Sequence, residues 1–429
     1  MTVIDLGELR DHPKPSPDRP RPRAAGRPLR TALVSLLVLG TLAGAAPAPG
    51  RVAAVVPSSP VGKAFVVGDL VVVDEPVDGV TSGDRDLTAY PMPERPANPP
   101  PRAEPLWRVR VPVGGYIQWI EPHDDTLLLT VNSRAEADGE TIALHARTGQ
   151  VRWRQPGIAR SGRTGSLFLQ RMRDDGAWTL RAVDPGSGQL AWSLRDLRSS
   201  PNYRLRDGAV DRVVVFGPGS GVEVRDPASG AVLARADPPP GASAELSGLV
   251  ADDLVLFIDD QTVTAYDLDR LERRWVVPLP AVESVGVCGE VLCVWVRDGG
   301  LQALDPATGA LRWRTSGWDA VMEARSGRLL VATLRDNRSR YGVLDASTGG
   351  QIADLGDWSL LASVAPDGPL VGIRPGRGGR LTPYELDLAD VRLRVLDAIP
   401  GASELCQAGP SAMMCRRPDG SFGVWRWPA

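Results

Sequence analysis

The sequence predicts an all-β protein, a β-propeller of four-stranded antiparallel blades, and three observations lead to that class. Short apolar runs that follow turns recur along the chain after residue 50 at intervals of about 40 residues. An eleven-residue phrase, LDPATGALRWR in its best copy, recurs with them. After residue 50, no segment of useful length has the period of a helix. Four short strands every 40 residues or so make the unit of a propeller blade.

The apolar runs indicate one strand of each repeat, and nine of them can be counted. They begin at Asp69, Asp125, Gly165, Asp211, Asp253, Glu290, Gly327, Gly368 and Ala412. The first interval is longer because a Pro-rich insert, residues 91–105, interrupts it. Stacked sandwiches would not repeat one turn at one period, and a solenoid repeat of about 20–30 residues is too short. The last segment holds three strands, so an N-terminal strand within RVAAVVPSS is expected to complete its blade.

The repeated phrase predicts a hairpin followed by an interblade contact. In the copy LDPATGALRW, Asp305 is expected to hydrogen-bond to the backbone ahead of it, and Gly309 to take the left-handed conformation. Trp313 follows that glycine by four residues, so its ring is expected between neighbouring blades with its N–H on a backbone carbonyl. The predicted joint residues are Gly149, Trp153, Asp184, Gly188, Trp192, Trp275, Asp305, Gly309 and Trp313.

Several copies of the phrase are degenerate. His145 replaces the Asp, Ala234 and Ala353 replace the Trp, and Leu271 stands where Gly belongs, four residues before Trp275. A phrase that carried catalysis would not be expected in several degenerate copies. The phrase is therefore interpreted as a structural joint, and no catalytic residue is predicted in it.

The phrase resembles the repeat of the PQQ-like β-propellers, whose consensus is close to A-x-D-x-x-T-G-x-x-x-W. ALDPATGALRW matches it best, with AVDPGSGQLAW and ALHARTGQVRW less close, and the resemblance covers residues 60–427 or so. The family includes quinoprotein dehydrogenases and non-enzymatic members, among them the lipoprotein propeller of outer-membrane protein assembly and membrane-anchored actinobacterial types, which this chain resembles. Eight blades are usual in the family, so eight are expected here, with nine as the alternative.

The N-terminal residues differ from the rest of the chain. Residues 1–30 are basic and Pro-rich, which predicts a disordered cytoplasmic tail. Residues 31–48 are uncharged and nearly long enough to cross a bilayer, and Arg27 and Arg30 would hold their start in the cytoplasm. They predict a transmembrane signal-anchor helix, with a cleaved signal peptide as the alternative. The propeller, residues 49–429, is then expected outside the cytoplasm, with the chain at the cell membrane.

The cysteines fit an oxidising compartment. The four of them form two close pairs around Gly-containing turns, which predicts the disulfides Cys288–Cys293 and Cys406–Cys415, each pair lying opposite across a hairpin. A metal site is the alternative, but none of the three histidines is near a cysteine in sequence, so no metal is predicted. A net charge of -3 gives no electrostatic case for nucleic acid.

These observations favour a binding protein over an enzyme. Quinoprotein dehydrogenases of the resembled family carry two adjacent cysteines, and this chain has no Cys-Cys pair. The chain is expected to have no cofactor and to act as a protein-interaction or scaffold module at the cell envelope. The alternative is a small-ligand sensor or a degenerate quinoprotein oxidoreductase. The Pro-rich insert is interpreted as a long loop or as a docking arm for a partner.

Overall fold

The computed structural model describes residues 52–77, 83–93, 100–133, 139–161, 165–217, 221–237, 247–259, 261–297, 300–335, 338–361, 368–376, 380–403, 405–409 and 412–426. These residues form 37 strands in nine antiparallel sheets, with no helix among them. Each sheet is one blade of a propeller.

The first four blades are sheets of consecutive strands. Blade 1 contains β2 (Lys63–Val67), β3 (Leu70–Pro76), β4 (Arg85–Pro91) and β5 (Trp107–Val111). Blade 2 contains β6 (Gly115–His123), β7 (Thr126–Ser133), β8 (Glu140–His145) and β9 (Val151–Pro156). Blade 3 contains β10 (Ile158–Ser161), β11 (Leu167–Met172), β12 (Trp178–Val183) and β13 (Leu190–Leu197). Blade 4 contains β14 (Asn202–Arg206), β15 (Ala209–Phe216), β16 (Val222–Arg225) and β17 (Val232–Ala236).

The next four blades follow the same plan. Blade 5 contains β18 (Ser247–Ala251), β19 (Leu254–Ile258), β20 (Thr262–Asp267) and β21 (Arg273–Pro278). Blade 6 contains β22 (Val282–Cys288), β23 (Val291–Val296), β24 (Gly300–Leu304) and β25 (Leu311–Thr315). Blade 7 contains β26 (Ala320–Arg325), β27 (Arg328–Arg335), β28 (Arg338–Asp345) and β29 (Gln351–Asp357). Blade 8 contains β30 (Ser359–Leu360), β31 (Leu370–Pro375), β32 (Arg380–Asp387), β33 (Arg392–Val395) and β34 (Ile399–Pro400), which pairs with β32.

The ninth blade joins the two ends of the chain. It contains β35 (Cys406–Ala408), β36 (Ala412–Arg416), β37 (Phe422–Arg426) and β1 (Val52–Val56), in the sheet order β1-β37-β36-β35. The N-terminal strand therefore supplies the fourth strand of the last blade, as the sequence predicts. The expectation of eight blades is wrong. Neither terminal unit is irregular, because β1 completes the last sheet and the Pro-rich insert leaves blade 1 with all four strands.

The nine blades form a closed ring around an axis lined by their first strands. First strands of neighbouring blades contact each other, among them β2 with β6, β14 with β18, β22 with β26, and β2 with β35. The last contact closes the ring. There Gln407 of β35 donates from Nε2 to the carbonyl of Ala64 at 2.9 Å and accepts from the N–H of Val66 at 3.2 Å, bonding blade 9 to blade 1.

The hydrophobic core is divided among the interblade spaces. The described residues form nine buried clusters, and each draws its members from two neighbouring blades. Valine and leucine dominate because a β-sheet face buries branched side chains well against a facing sheet. The ring is therefore held by many separate contacts of similar kind, and each interblade joint is a unit of its stability.

The N-terminal segment lies outside the described residues. The predicted tail, residues 1–30, and the predicted membrane helix, residues 31–48, both belong to it. Within the residues that the structure does describe, no helix is long and apolar enough to cross a membrane.

Candidate functional site

The repeated phrase forms a turn that is held by its first side chain. Asp305 Oδ1 accepts from the backbone N–H of Ala307 at 2.9 Å and of Thr308 at 3.0 Å, and Gly309 N–H donates to the Asp305 carbonyl at 2.8 Å. Asp184 Oδ1 likewise accepts from Ser187 N–H, and in the degenerate copy His145 Nδ1 accepts from Arg147 N–H at 3.2 Å. His145 therefore replaces the carboxylate as an acceptor.

Tryptophans on the outer strand of one blade dock on the turn of the next blade. Trp313 donates its indole N–H to the Ala346 carbonyl at 2.8 Å. Its ring lies on Gly349, where φ is +69° and an added Cβ would come within 2.5 Å of the indole. Each ring thus packs on the glycine of the following copy of the phrase, not on its own. Five such pairs occur among the described residues: Trp107–Gly149, Trp153–Gly188, Trp192–Gly230, Trp275–Gly309 and Trp313–Gly349.

In two degenerate copies of the phrase, a second substitution compensates for the missing tryptophan. Ala234 replaces the docking Trp between blades 4 and 5, and the position that receives it is Leu271, with φ +56° and only 6% exposed. Ala353 replaces the Trp between blades 7 and 8, and there Val391 stands at the glycine position with φ +53°. Each pair shares one interblade cluster. A larger receiving side chain therefore fills the space that the missing indole leaves.

The joint without tryptophan between blades 4 and 5 also carries an ion network that sequence reasoning missed. The Arg204 side chain is 2% exposed and bonds to Asp211 of its own blade at 2.8 Å. It also reaches Asp253 at 2.7 Å and Asp269 at 3.3 Å on blade 5. Arg206 and Arg212 complete a cluster of three arginines and three aspartates. The network thus bonds two blades where the indole is absent.

The charges of this network affect the protonation of its members. Burial alone would raise the pKa of Asp211, but the hydrogen bond and positive charge of Arg204 outweigh it and hold the pKa below its ordinary value. The hydrogen bond that Arg204 donates to Asp211 raises the pKa of Arg204. Both groups therefore stay charged over the whole neutral range.

All four cysteines form the two disulfides, Cys288–Cys293 and Cys406–Cys415. Cys406 and Cys415 lie directly opposite across β35 and β36, with Cα atoms 4.1 Å apart. The expectation that Cys288 lies opposite Cys293 is wrong. The tight turn at Gly289 pairs Cys288 with Val291, so this bridge runs diagonally across the hairpin over a Cα–Cα distance of 5.7 Å.

The Pro-rich insert holds the edge of the closing blade. Its described residues are 91–93 and 100–105, and residues 101–103 run beside β1, with a parallel bridge between Arg102 and Val55. Val55 N–H donates to the Pro101 carbonyl at 2.9 Å, and Ala103 N–H donates to the Val55 carbonyl at 2.9 Å. The insert therefore covers an otherwise unpaired strand edge, which is a common site of unwanted pairing.

A pocket with apolar side chains and one carboxylate, Glu323, in its walls opens at the axial channel between blades 6 and 7. Its volume is about 490 Å³, and it lies between β22 and β26 beside the Cys288–Cys293 bridge. Val287 and Met322 line it, 48% and 41% exposed, with Trp295 and Val321 as further apolar walls. Exposed aliphatic side chains on two neighbouring inner strands leave an apolar surface that the ring itself does not cover.

Metal-ligating side chains do not converge within the described part of the chain. No group of three or more His, Cys, Asp or Glu residues there is placed to hold a metal ion. Asp305, Asp184 and the other aspartates of the repeated turns bond to backbone N–H groups of their own hairpins.

The turn aspartates predict a stability that falls in acid. The hydrogen bond from Arg312 lowers the pKa of Asp305, and the Ser187 hydroxyl does the same for Asp184. A lowered pKa in the folded state stabilises the fold above the ordinary Asp pKa of about 3.9, and this is lost as the pH falls through the lowered value. We expect the thermal midpoint to be flat near neutral pH and to drop below about pH 4.

Replacing Asp305 by Asn should make that acid slope shallower, because position 305 no longer takes up a proton. Asp124→Asn is the matched control, since Asp124 is exposed at φ +52°, a conformation that Asn also adopts, and holds no repeat turn. Scanning calorimetry from pH 3 to pH 8 measures both. An equal change of slope in the two variants would refute the role of the turn carboxylates.

The comparisons with known proteins agree with the repeat. Residues 100–278 match the family model described as outer membrane protein assembly factor BamB. The matched range includes Trp107, the first of the tryptophans that dock on a glycine of the next blade. The segment belongs to the PQQ-like β-propeller repeat family. The PQQ-like repeat is thus shown for the last strand of blade 1 and for blades 2 to 5, and the same joint continues beyond the match at Trp313.

Solved structures with a similar arrangement are remote from this PQQ-like propeller in sequence. BamB from Moraxella catarrhalis is 14% identical, covering 89% of this chain and 98% of that one at a TM-score of 0.44. The computationally designed Ika8 protein is 17% identical, covering 72% and 96% at 0.47. Saccharomyces cerevisiae Sqt1 is 11% identical, covering 89% and 96% at 0.46. At these scores the likenesses carry no argument about function, and no curated protein matches the chain.

Proposed function

We propose that this chain is a protein-interaction module on the outer side of the cell membrane, anchored there by residues 31–48. The observation that carries the interaction role is the pocket between β22 and β26. We propose that it receives one apolar side chain of an extended partner segment. The proposed anchor rests on the uncharged stretch Thr31–Ala46 and the basic residues before it.

The pocket has the features of a peptide anchor site. Its volume of about 490 Å³ accommodates a large aliphatic or aromatic side chain. Val287 and Met322 extend its apolar surface to the channel mouth, and methionine adapts its shape to different partners. The Cys288–Cys293 bridge fixes the wall formed by the β22–β23 hairpin. A fixed apolar wall beside an adaptable one favours binding at a low ordering cost.

The family match supports the same role. The matched family is described as an assembly factor, which works through contacts with other proteins. In this chain the residues conserved from one repeat to the next are those of the joint, so the repeats themselves build a rigid ring. We therefore propose that the chain is not an enzyme and uses no cofactor, and that its surface carries its function.

Site-specific photo-crosslinking in intact cells of the native host tests this proposal. A photoreactive amino acid at Met322 should yield one dominant protein adduct, recovered in the membrane fraction. The same photoreactive residue at Leu311, an exposed aliphatic position on the outer strand of blade 6, is the matched control and should yield none. A second change, Val287→Glu, should abolish the Met322 adduct, because a buried carboxylate would face the partner's apolar side chain.

Two outcomes would count against the proposal in different ways. No adduct at Met322, or equal adducts at Met322 and Leu311, would contradict binding at the pocket. If the chain without a crosslinked partner stays in the membrane fraction after deletion of residues 31–48, that would contradict the anchor and leave the pocket unaffected.

A further inference from the structure

A second cavity, on the far side of the ring from the channel-mouth pocket, lies between blades 2 and 3. Its volume is about 720 Å³, and its walls come from β11, β12 and β13 of blade 3, with Pro156 at the end of β9. Its apolar walls are formed by Leu169, Leu194 and Pro156. Cavities of about 300–1,000 Å³ hold small organic ligands.

The cavity is basic. Four arginines line it against two aspartates, Asp174 and Asp175, which leaves two positive charges in excess; the arginines are Arg171, Arg173, Arg181 and Arg195. Arg173 is balanced by Asp175 at 2.6 Å and Asp196 at 2.7 Å. Among the described residues, neither Arg181 nor Arg195 forms an ion pair or a side-chain hydrogen bond. The cavity thus contains guanidinium groups whose donors are available to a ligand.

Neighbouring blades fill the position equivalent to Arg181 in different ways. Arg181 pairs with Leu169 across β11 and β12, on the face that packs against blade 2. The equivalent pair in blade 2 is Leu129–Ile142, and both side chains are buried in the core between blades 1 and 2. In the part of the chain that the structure describes, blade 3 therefore has an unpaired cation where blade 2 has a buried aliphatic side chain and where blade 4 has a carboxylate, Glu223, that is paired with Arg225.

A guanidinium at an interblade face is costly unless a counter-charge accompanies it. Partial burial of an unpaired charge disfavours the folded state, whereas a bound anion would balance it. Arginine presents a planar fork of donors that fits phosphate oxygens in pairs. We propose that the cavity between blades 2 and 3 is a binding site for the phosphate group of a small ligand, held by Arg181 and Arg195. This goes beyond the proposed interaction role, which concerns blades 6 and 7.

Isothermal titration calorimetry of the purified full chain with inorganic phosphate, at low ionic strength, tests the site. We expect saturable binding at one site per chain with a Kd of about 1 mM or tighter. Arg181→Gln and Arg195→Gln should each weaken it at least about tenfold, because each removes charge-assisted hydrogen bonds. Raising the NaCl concentration should also weaken it, since salt screens exposed charges.

Arg314→Gln is the matched control. Arg314 is an exposed arginine on β25 of blade 6, so this variant loses the same charge away from the cavity and should bind phosphate as the parent does. A thermal melt of each variant checks folding, and Arg195→Gln provides a second test at an exposed position if Arg181→Gln does not fold. Absence of saturable binding, or equal weakening by Arg314→Gln, would overturn the proposal.

Discussion

Arg204→Met is expected to destabilise the propeller by about 1–3 kcal/mol, because it removes several hydrogen bonds between charged groups. Arg204 is the central cation of the network between blades 4 and 5, and its side chain is 2% exposed. Its removal leaves Arg206 and Arg212 to balance three aspartates, so the cluster becomes short of one positive charge. Like charges at short range repel, and the buried part of that repulsion is poorly screened by solvent. Calorimetry should show a thermal midpoint lower by about 2–5 °C.

Arg206→Met separates burial from charge. Arg206 belongs to the same network and bonds to Asp253 at 2.7 Å, but its side chain is 53% exposed. The Arg206→Met variant loses the same charge as Arg204→Met. We expect its free energy of unfolding to fall by no more than about 1 kcal/mol, because exposed ion pairs contribute little. If both variants lose the same stability, the effect comes from net charge and the buried position of Arg204 is irrelevant.

The joint was predictable from the sequence because its parts are local. Asp305 and Gly309 determine a hairpin by backbone conformation alone, and the spacing to Trp313 fixes where the ring leaves the strand. What the ring meets was not predictable from one copy. Trp313 packs on Gly349, which belongs to the next blade, and only the closed ring shows which copy receives which indole.

The blade count and the polar clusters depend on features that a single repeat does not carry. The sequence already contains nine apolar runs, and the expectation of eight blades came from the resembled family; the pairing of β1 with β37 completes the ninth sheet. Arg204 and Arg181 read as ordinary surface residues of alternating strands in the sequence. Their roles depend on which face of the sheet meets the neighbouring blade, and strand register across two blades decides that.

Where Ala replaces the docking Trp, a larger residue stands at the receiving position, and we expect the same exchange of two residues to work at another joint. Trp313→Ala should cost about 3–5 kcal/mol, because it removes a buried indole and its hydrogen bond to Ala346. Gly349→Leu alone should cost about 1–3 kcal/mol, since its Cβ would come within 2.5 Å of the ring. Together they recreate the native Ala234–Leu271 arrangement. We expect the double variant to be more stable than the sum of the single losses by about 1–3 kcal/mol.

Trp313→Ala with Gly309→Leu is the control for that coupling. Gly309 has the same conformation, with φ +72°, but it receives Trp275 and lies at a different joint. The two losses should therefore add, because the residues share no contact. Unfolding in urea, with the four variants measured as a thermodynamic cycle, gives the coupling energy directly. An additive result for Trp313 with Gly349 would show that Leu271 does not replace an indole and that the degenerate copies are decayed after all.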